Sequence, residues 1–182
     1  MPLVYVTGLS GAGKSAVCDE LRRRGYEAHD TDRDGNAVWV DCATGEVAAL
    51  NAGAIERTRE WLDRHEWHIV ASRAEALAAR ARDRFVFLCG GAANEREVWH
   101  CFSLTICLAV DEQTLRHRLA TRTSNDFGKS PHELASILQW HELGMDRYRE
   151  LGALIIDATR PLTSVVDDVI HLATRRKAVD PG

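Results

Sequence analysis

The chain has 182 residues, 45% of them hydrophobic, with 23 basic and 27 acidic side chains and a formal charge of −4. That length suits one domain with a sizeable core; the charge balance argues against nucleic acid as an obligatory partner, and no apolar run reaches membrane-spanning length. Met1-Pro2 leads almost directly into an apolar run, so no secretory leader is expected. The five cysteines lack C-x-x-C spacing and read as small core residues of a reducing, cytoplasmic protein.

Leu3-Val4-Tyr5-Val6-Thr7 reads as a buried strand and the stretch from Ala16 to Arg22 as a helix. Between them, Gly8-Leu9-Ser10-Gly11-Ala12-Gly13-Lys14-Ser15 matches the G-x-x-x-x-G-K-[ST] phosphate-binding pattern. Strand, loop and helix occur in the order that pattern requires. Glycines let the backbone close around an anion, and successive amides of the segment from Gly8 through Ser10, Gly11, Ala12 and Gly13 to Ala16 point at phosphate oxygens. Lys14 is placed to reach the β- and γ-phosphates and the Ser15 hydroxyl to ligate Mg²⁺. The expected ligands are therefore ATP and Mg²⁺.

Gly25 to His29 predicts a short second strand that delivers Asp30 and Asp32 at its C-terminal end. In extended backbone the two carboxylates share a face, where one holds Mg²⁺ (assigned to Asp32) and the other orients or deprotonates an attacking hydroxyl. The alternative is a turn whose aspartates satisfy backbone amides and pair with Arg33. The polar stretch through Gly45 loops out or forms a small hairpin around Ala37-Val38-Trp39-Val40. A helix is expected from about Ala52 to His65, and Ser72 with Glu75 predicts a capping box opening a further helix through Arg82. Residues 35–82 form the candidate acceptor region. Trp39 is a candidate pocket wall, with core packing as its competing role, and Arg57 and Arg73 are candidates to bind an acceptor's phosphate or carboxylate.

Phe85 to Cys89 is the clearest continuous strand. Gly90 and Gly91 after it permit close backbone approach, and Asn94 offers amide hydrogen bonds to an acceptor while capping a short helix toward Trp99. Leu104 to Val110 predicts another buried strand, closed by Asp111, and a helix follows from Glu112 to Arg122. Arg118 and Arg122, four residues apart, share a face from which guanidinium groups can offset charge on a transferring phosphoryl group; a solvated helix face is the competing reading. Residues 123–131 have the composition of a mobile cover. Pro131 suits the first turn of the next helix, Leu154 to Ile156 supplies a fifth strand, and Leu162 to Ala173 a last amphipathic helix. Five short apolar strands separated by helices predict an α/β fold, a three-layer α/β/α arrangement with a five-stranded parallel sheet, whose ligands bind beyond the strand C-termini. The histidines show no compact metal signature.

These features resemble the P-loop small-molecule and nucleotide kinases, the group that includes shikimate, gluconate and adenylate kinases. Gly8 to Ser15 corresponds to the ATP loop, Asp30-Thr31-Asp32 resembles the D-x-D segment of shikimate-type kinases, and Arg118 and Arg122 resemble lid-flanking arginines. Asp157-Ala158-Thr159-Arg160-Pro161 resembles the late loop around adenine, which implies that Arg160 stacks near the base. No Asp-Gly-Phe-Pro segment follows the third strand, where Leu88-Cys89-Gly90-Gly91 stands instead, so the metal falls to Ser15 and Asp32. The resemblance implies an ATP-dependent phosphotransferase for a small metabolite, as monomer or homodimer. Competing classes are a nucleotide switch acting with a protein partner and an RNA-end or tRNA-modifying kinase; the chain lacks the guanine-reading N-K-x-D of many switches.

Overall fold

In the computed structural model, which describes residues 2–48, 58–123 and 127–179, five strands form one parallel sheet. They are β1 (Leu3–Thr7), β2 (Glu27–Asp30), β5 (Val86–Cys89), β6 (Leu104–Ala109) and β7 (Leu154–Asp157), in the spatial order β2-β5-β1-β6-β7. The register aligns their C-terminal ends: Val6 and Asp30 both face Cys89, Thr7 faces Cys107, and Ala109 faces Asp157. β1 is central and buried along its whole length, as its unbroken apolar sequence requires.

Strand alternation divides the core in two. Val4, Val6, Phe87, Cys89, Ile106 and Leu108 pack against α1 (Lys14–Arg23) and α7 (Leu162–Val179), through Val17, Cys18, Leu21, Val166 and Val169. Leu3, Tyr5, Val86 and Leu88 face the opposite side and meet Ala74 and Leu77 of α3 (Ala71–Arg80) and Val98 of α4 (Glu95–Val98). The expected three-layer α/β/α fold is therefore present, and the phosphate loop leaves the middle of the sheet's C-terminal edge. Among the described residues no helix is long and apolar enough to cross a membrane.

Local structure departs from expectation in several places. The small hairpin expected around Ala37 to Val40 is present, with Asp41 N donating to Glu46 O and Ala48 N to Trp39 O at 2.9 Å each, but its first strand also joins a distant segment. β3 (Ala37–Asp41) pairs antiparallel with β4 (His65–Ile69), with Trp39 opposite Trp67, and Val40 makes a further bridge to Val47. The helix expected through His65 is accordingly shorter. Its described part, α2 (Arg59–Arg64), is capped by the Thr58 hydroxyl, and His65 already belongs to β4, whose aromatic residues pair across strands. Residues 52–57 of that expected helix, Arg57 included, lie outside the described residues. The Ser72 capping box does not form either. α3 begins at Ala71 after extended Val70, with no side-chain cap, and Ser72 lies inside the first turn.

Asp30 ends β2, and the chain turns at Thr31, so Asp30 and Asp32 do not share a strand face. The turn alternative describes them better. Asp30 Oδ1 accepts from the amides of Asp32 and Arg33 at 2.9 and 3.2 Å, and the Arg33 guanidinium bonds Oδ2. Glu112 to Arg122 shortens by one residue: α5 (Glu112–Thr121) is capped by Asp111, and Arg122 sits just past its end in extended backbone. Pro131 opens α6 (Pro131–Glu150), whose N-cap is Ser130.

Candidate active site

The phosphate loop is held from two sides. Gly8 has φ +139°, and a Cβ there would stand 2.6 Å from the Leu108 carbonyl oxygen, so β6 packs against a backbone that only glycine permits. Gly11 is packed against Leu115 and Leu119 of α5, and left-handed Gly13 leads into α1. Lys14 curls back over the loop, and its Nζ donates to the Gly8 and Leu9 carbonyls, both at 2.8 Å. Burial pushes the Lys14 ammonium below the usual lysine range, while the carboxylates of Asp32 and Glu95 pull it partly back up. These two carbonyls hold the cation over the loop.

A cleft of about 400 Å³ opens over the loop. Its walls bring together Ser10 to Val17, Asp32, Arg118, Arg122, Ala158 and Arg160. Arg118 spans it, donating to Ala12 O at 3.0 Å and Ala158 O at 2.8 Å, so the phosphate loop and the loop after β7 are joined by one guanidinium. Arg122 donates to Ser10 Oγ at 3.1 Å and to the Phe127 carbonyl. The two arginines reach the site from different backbone geometries, not as neighbours on one helix face. Arg160 is exposed at the rim, bonded to Asp157 O and paired with Asp168. Asp32 is exposed on the cleft wall and, among the described residues, accepts from the Thr31 hydroxyl at 3.0 Å.

The predicted acceptor residues divide. Gly91 lies beside the start of the phosphate loop: a Cβ there would lie 3.4 Å from Gly8 O and 4.0 Å from Lys14 Nζ. Gly90 is bare for a different reason, because the buried Thr31 side chain occupies the space a Cβ would need. Asn94 is buried and works on the backbone. Its Oδ1 accepts from Ile69 N at 2.8 Å and its Nδ2 donates to Ile69 O at 3.0 Å, so the side chain completes the free edge of β4. Together with the bond from Ala93 N to Trp67 O, this ties the two-stranded sheet to the loop after β5. Asn94→Ala is expected to lower stability by about 2–4 kcal/mol, since two buried backbone groups lose their partners. Urea unfolding measures this, and a loss under about 0.5 kcal/mol would contradict the role.

Trp39 stands against Trp67 at 5.3 Å and edge-on to Trp61 at 4.9 Å, while Trp61 stacks on His65 at 4.1 Å. These half-buried rings form an aromatic cluster on the small sheet. Arg73 is exposed and bonds the Asp34 and Gly35 carbonyls, bracing the turn after Asp30. Of the cover segment, residues 124–126 lie outside the described residues; beyond them Gly128 N donates to Glu133 Oε2 at 2.8 Å, tying the segment to α6.

One group had no counterpart in the sequence reading. Glu95, at the start of α4, is fully buried below the loop, with Oε1 accepting from Thr7 Oγ1 at 2.7 Å, Tyr5 OH at 2.9 Å and Tyr148 OH at 3.4 Å. Burial raises both tyrosine hydroxyls well above their usual range, with the Glu95 charge adding to it, so both are protonated donors. Nothing in the local sequence marks this residue, since a glutamate in a short polar helix ordinarily faces water.

The model of the AAA domain family matches residues 4–139, and the chain belongs to that family. Its fold, more narrowly, is that of the P-loop small-molecule kinases. The shikimate kinase from Acinetobacter baumannii in complex with shikimate superposes with TM-score 0.62 at 18% identity, over 97% of this chain and 95% of that one. A gluconokinase from Sinorhizobium meliloti 1021 gives TM-score 0.55 at 20% identity, over 97% and 94%. The deoxyadenosine kinase from M. mycoides with bound dATP gives 0.51 at 11%, over 94% and 99%. No curated protein matches by sequence.

Proposed function

We propose that this protein is an ATP-dependent phosphotransferase that moves the γ-phosphate to a small metabolite. The observation that carries this reading is the cleft itself, in which a phosphate loop, a half-buried lysine, two arginines and an exposed carboxylate converge at the edge of a kinase-type sheet. The solved structures of similar fold, named for action on shikimate, gluconate and deoxyadenosine, support small acceptors of this kind.

In this reading the amides from Ser10 to Ala16 and the Lys14 ammonium receive the phosphates, and the adenine end lies toward Ala158 and Arg160. Arg118 and Arg122 offset the charge that develops as the phosphoryl group passes in line to the acceptor. The acceptor enters from the side of Gly91 and the two-stranded sheet, where Trp39 and Arg73 are candidates for remote contacts; Arg57, outside the described residues, is a further candidate, and Asp30 and Asn94 shape that side by holding its backbone. A divalent ion fits this donor set if the nucleotide supplies most of its ligands. Among the described residues no three His, Cys, Asp or Glu side chains converge on a metal position, whereas Ser15 and Asp32 both line the cleft. Mg²⁺ held there would neutralise phosphate charge.

Asp32→Ala is expected to lower turnover about 100-fold with the fold intact, because the exposed carboxylate on the cleft wall is lost. Steady-state rates with a verified acceptor measure this, and full retained activity would remove Asp32 from the mechanism. The function itself is tested by incubating the protein with ATP, Mg²⁺ and pooled metabolites and weighing the phosphorylated products.

A further inference from the structure

Glu95 is costly where it stands. It is 0% exposed, and its negative charge lies close enough to the Lys14 ammonium to act on it, so it also opposes the arrival of anionic phosphates. A carboxylate serving only to anchor Tyr5, Thr7 and Tyr148 would be fully used by them. This one is half used. Three hydroxyls crowd Oε1, whereas Oε2 is buried with no hydrogen-bond partner among the described residues. The charge nearest to it is the Arg147 guanidinium of α6, at 3.6 Å and 43% exposed, beyond hydrogen-bond reach and lying over the Tyr148 ring.

The place of this oxygen in the fold gives it a use. The loop from Gly91 to Glu95 passes the Gly8 carbonyl and Lys14 at its first residue and reaches Thr7, immediately before the phosphate loop, at its last. Its direction is fixed by hydroxyls from β1 and α6, and the half-exposed Arg147 guanidinium stands 3.6 Å from Oε2. A fixed carboxylate oxygen lacking a donor suits a hydroxyl group; the same charge repels a phosphate monoester.

We propose that Glu95 receives the hydroxyl of the acceptor once Arg147 is displaced, and that the acceptor is therefore an alcohol and not a phosphate. This rests on the phosphotransfer reading above. As the acceptor oxygen bonds to the γ-phosphorus, its proton passes to Glu95 Oε2, the bond from that phosphorus to the β,γ-bridging oxygen breaks, and ADP leaves with the electron pair.

The test supplies wild-type protein, ATP and Mg²⁺ with a pooled panel of nucleosides and polyols, and separately with a panel of their phosphate monoesters. Product mass is read in both, and the Glu95→Gln variant is compared on the alcohol found. The expected result is transfer to the alcohol panel alone, with kcat at least about 100-fold lower in Glu95→Gln and ATP binding unchanged or tighter. A merely structural glutamate would change the melting temperature and leave that split absent. Transfer to the monoesters, or a Glu95→Gln kcat within threefold of wild type, overturns the assignment while leaving the kinase reading standing. Bound ATP with no product from either panel overturns the kinase reading and this inference with it. Should Glu95→Gln fail to fold, the two wild-type panels still decide the acceptor class.

Discussion

Lys14→Ala is expected to leave the protein folded and to slow phosphoryl transfer by about 10²–10³-fold. Among the described residues the ammonium bonds the Gly8 and Leu9 carbonyls, at 2.8 Å each, in a half-buried loop that solvent can reach once the side chain is gone. Losing those bonds costs about 1–2 kcal/mol of stability, which a core of this size tolerates. The transition state loses more. The half-buried ammonium is partly desolvated, so its attraction for a phosphoryl group gathering charge is screened less than in open water. Turnover and thermal midpoint measured on the same preparation separate the two effects. Retained turnover would show that phosphate charge is met elsewhere.

The second large effect falls on the fold. Gly8→Ala places a methyl group 2.6 Å from the Leu108 carbonyl and 3.3 Å from Leu108 N, at φ +139°, where an L-residue is strained whatever the space. The obstacle is backbone of β6, bonded to the central strand, and it cannot turn aside as a side chain would. A cost of about 2–5 kcal/mol is expected from strain and overpacking together. The urea midpoint should fall accordingly, and ATP binding should weaken beyond the fraction unfolded because the Gly8 carbonyl also seats Lys14. A fully stable Gly8→Ala protein would mean that the loop does not hold this conformation.

The parallel sheet and phosphate loop were legible because local signals agree there with the global fold. Leu3 to Thr7 is an apolar run of strand length, and the glycine pattern ends at a helix start. The two-stranded sheet was not legible, since Trp39 pairs with Trp67 across an intervening helix and no local pattern announces that register. Asp30 and Asp32 show the same limit at shorter range. A D-x-D spacing puts both carboxylates on one face only if the strand continues, and here Asp30 spends its oxygens on the turn that ends it. Asn94 looked like a ligand-binding amide and proved to be an edge cap for β4, because an amide carries the same donor and acceptor as a peptide bond. Charge and spacing mark Arg118 in the sequence, whereas its tie between Ala12 and Ala158 depends on two loops brought together from opposite ends of the chain. Glu95 was hidden altogether, since its burial arises from Tyr5, Thr7 and Tyr148, far from it in sequence.

The central claim is that the cleft transfers phosphate to a small molecule and does not merely bind a nucleotide. Its most direct test is the mass of products formed from ATP, Mg²⁺ and a pooled metabolite set by wild-type and Lys14→Ala proteins side by side. The account predicts a phosphorylated metabolite, formed in step with ADP, that appears with wild type and falls about 10²–10³-fold with Lys14→Ala. ATP hydrolysis accelerated by a protein partner, with no metabolite gaining a phosphate, would contradict it.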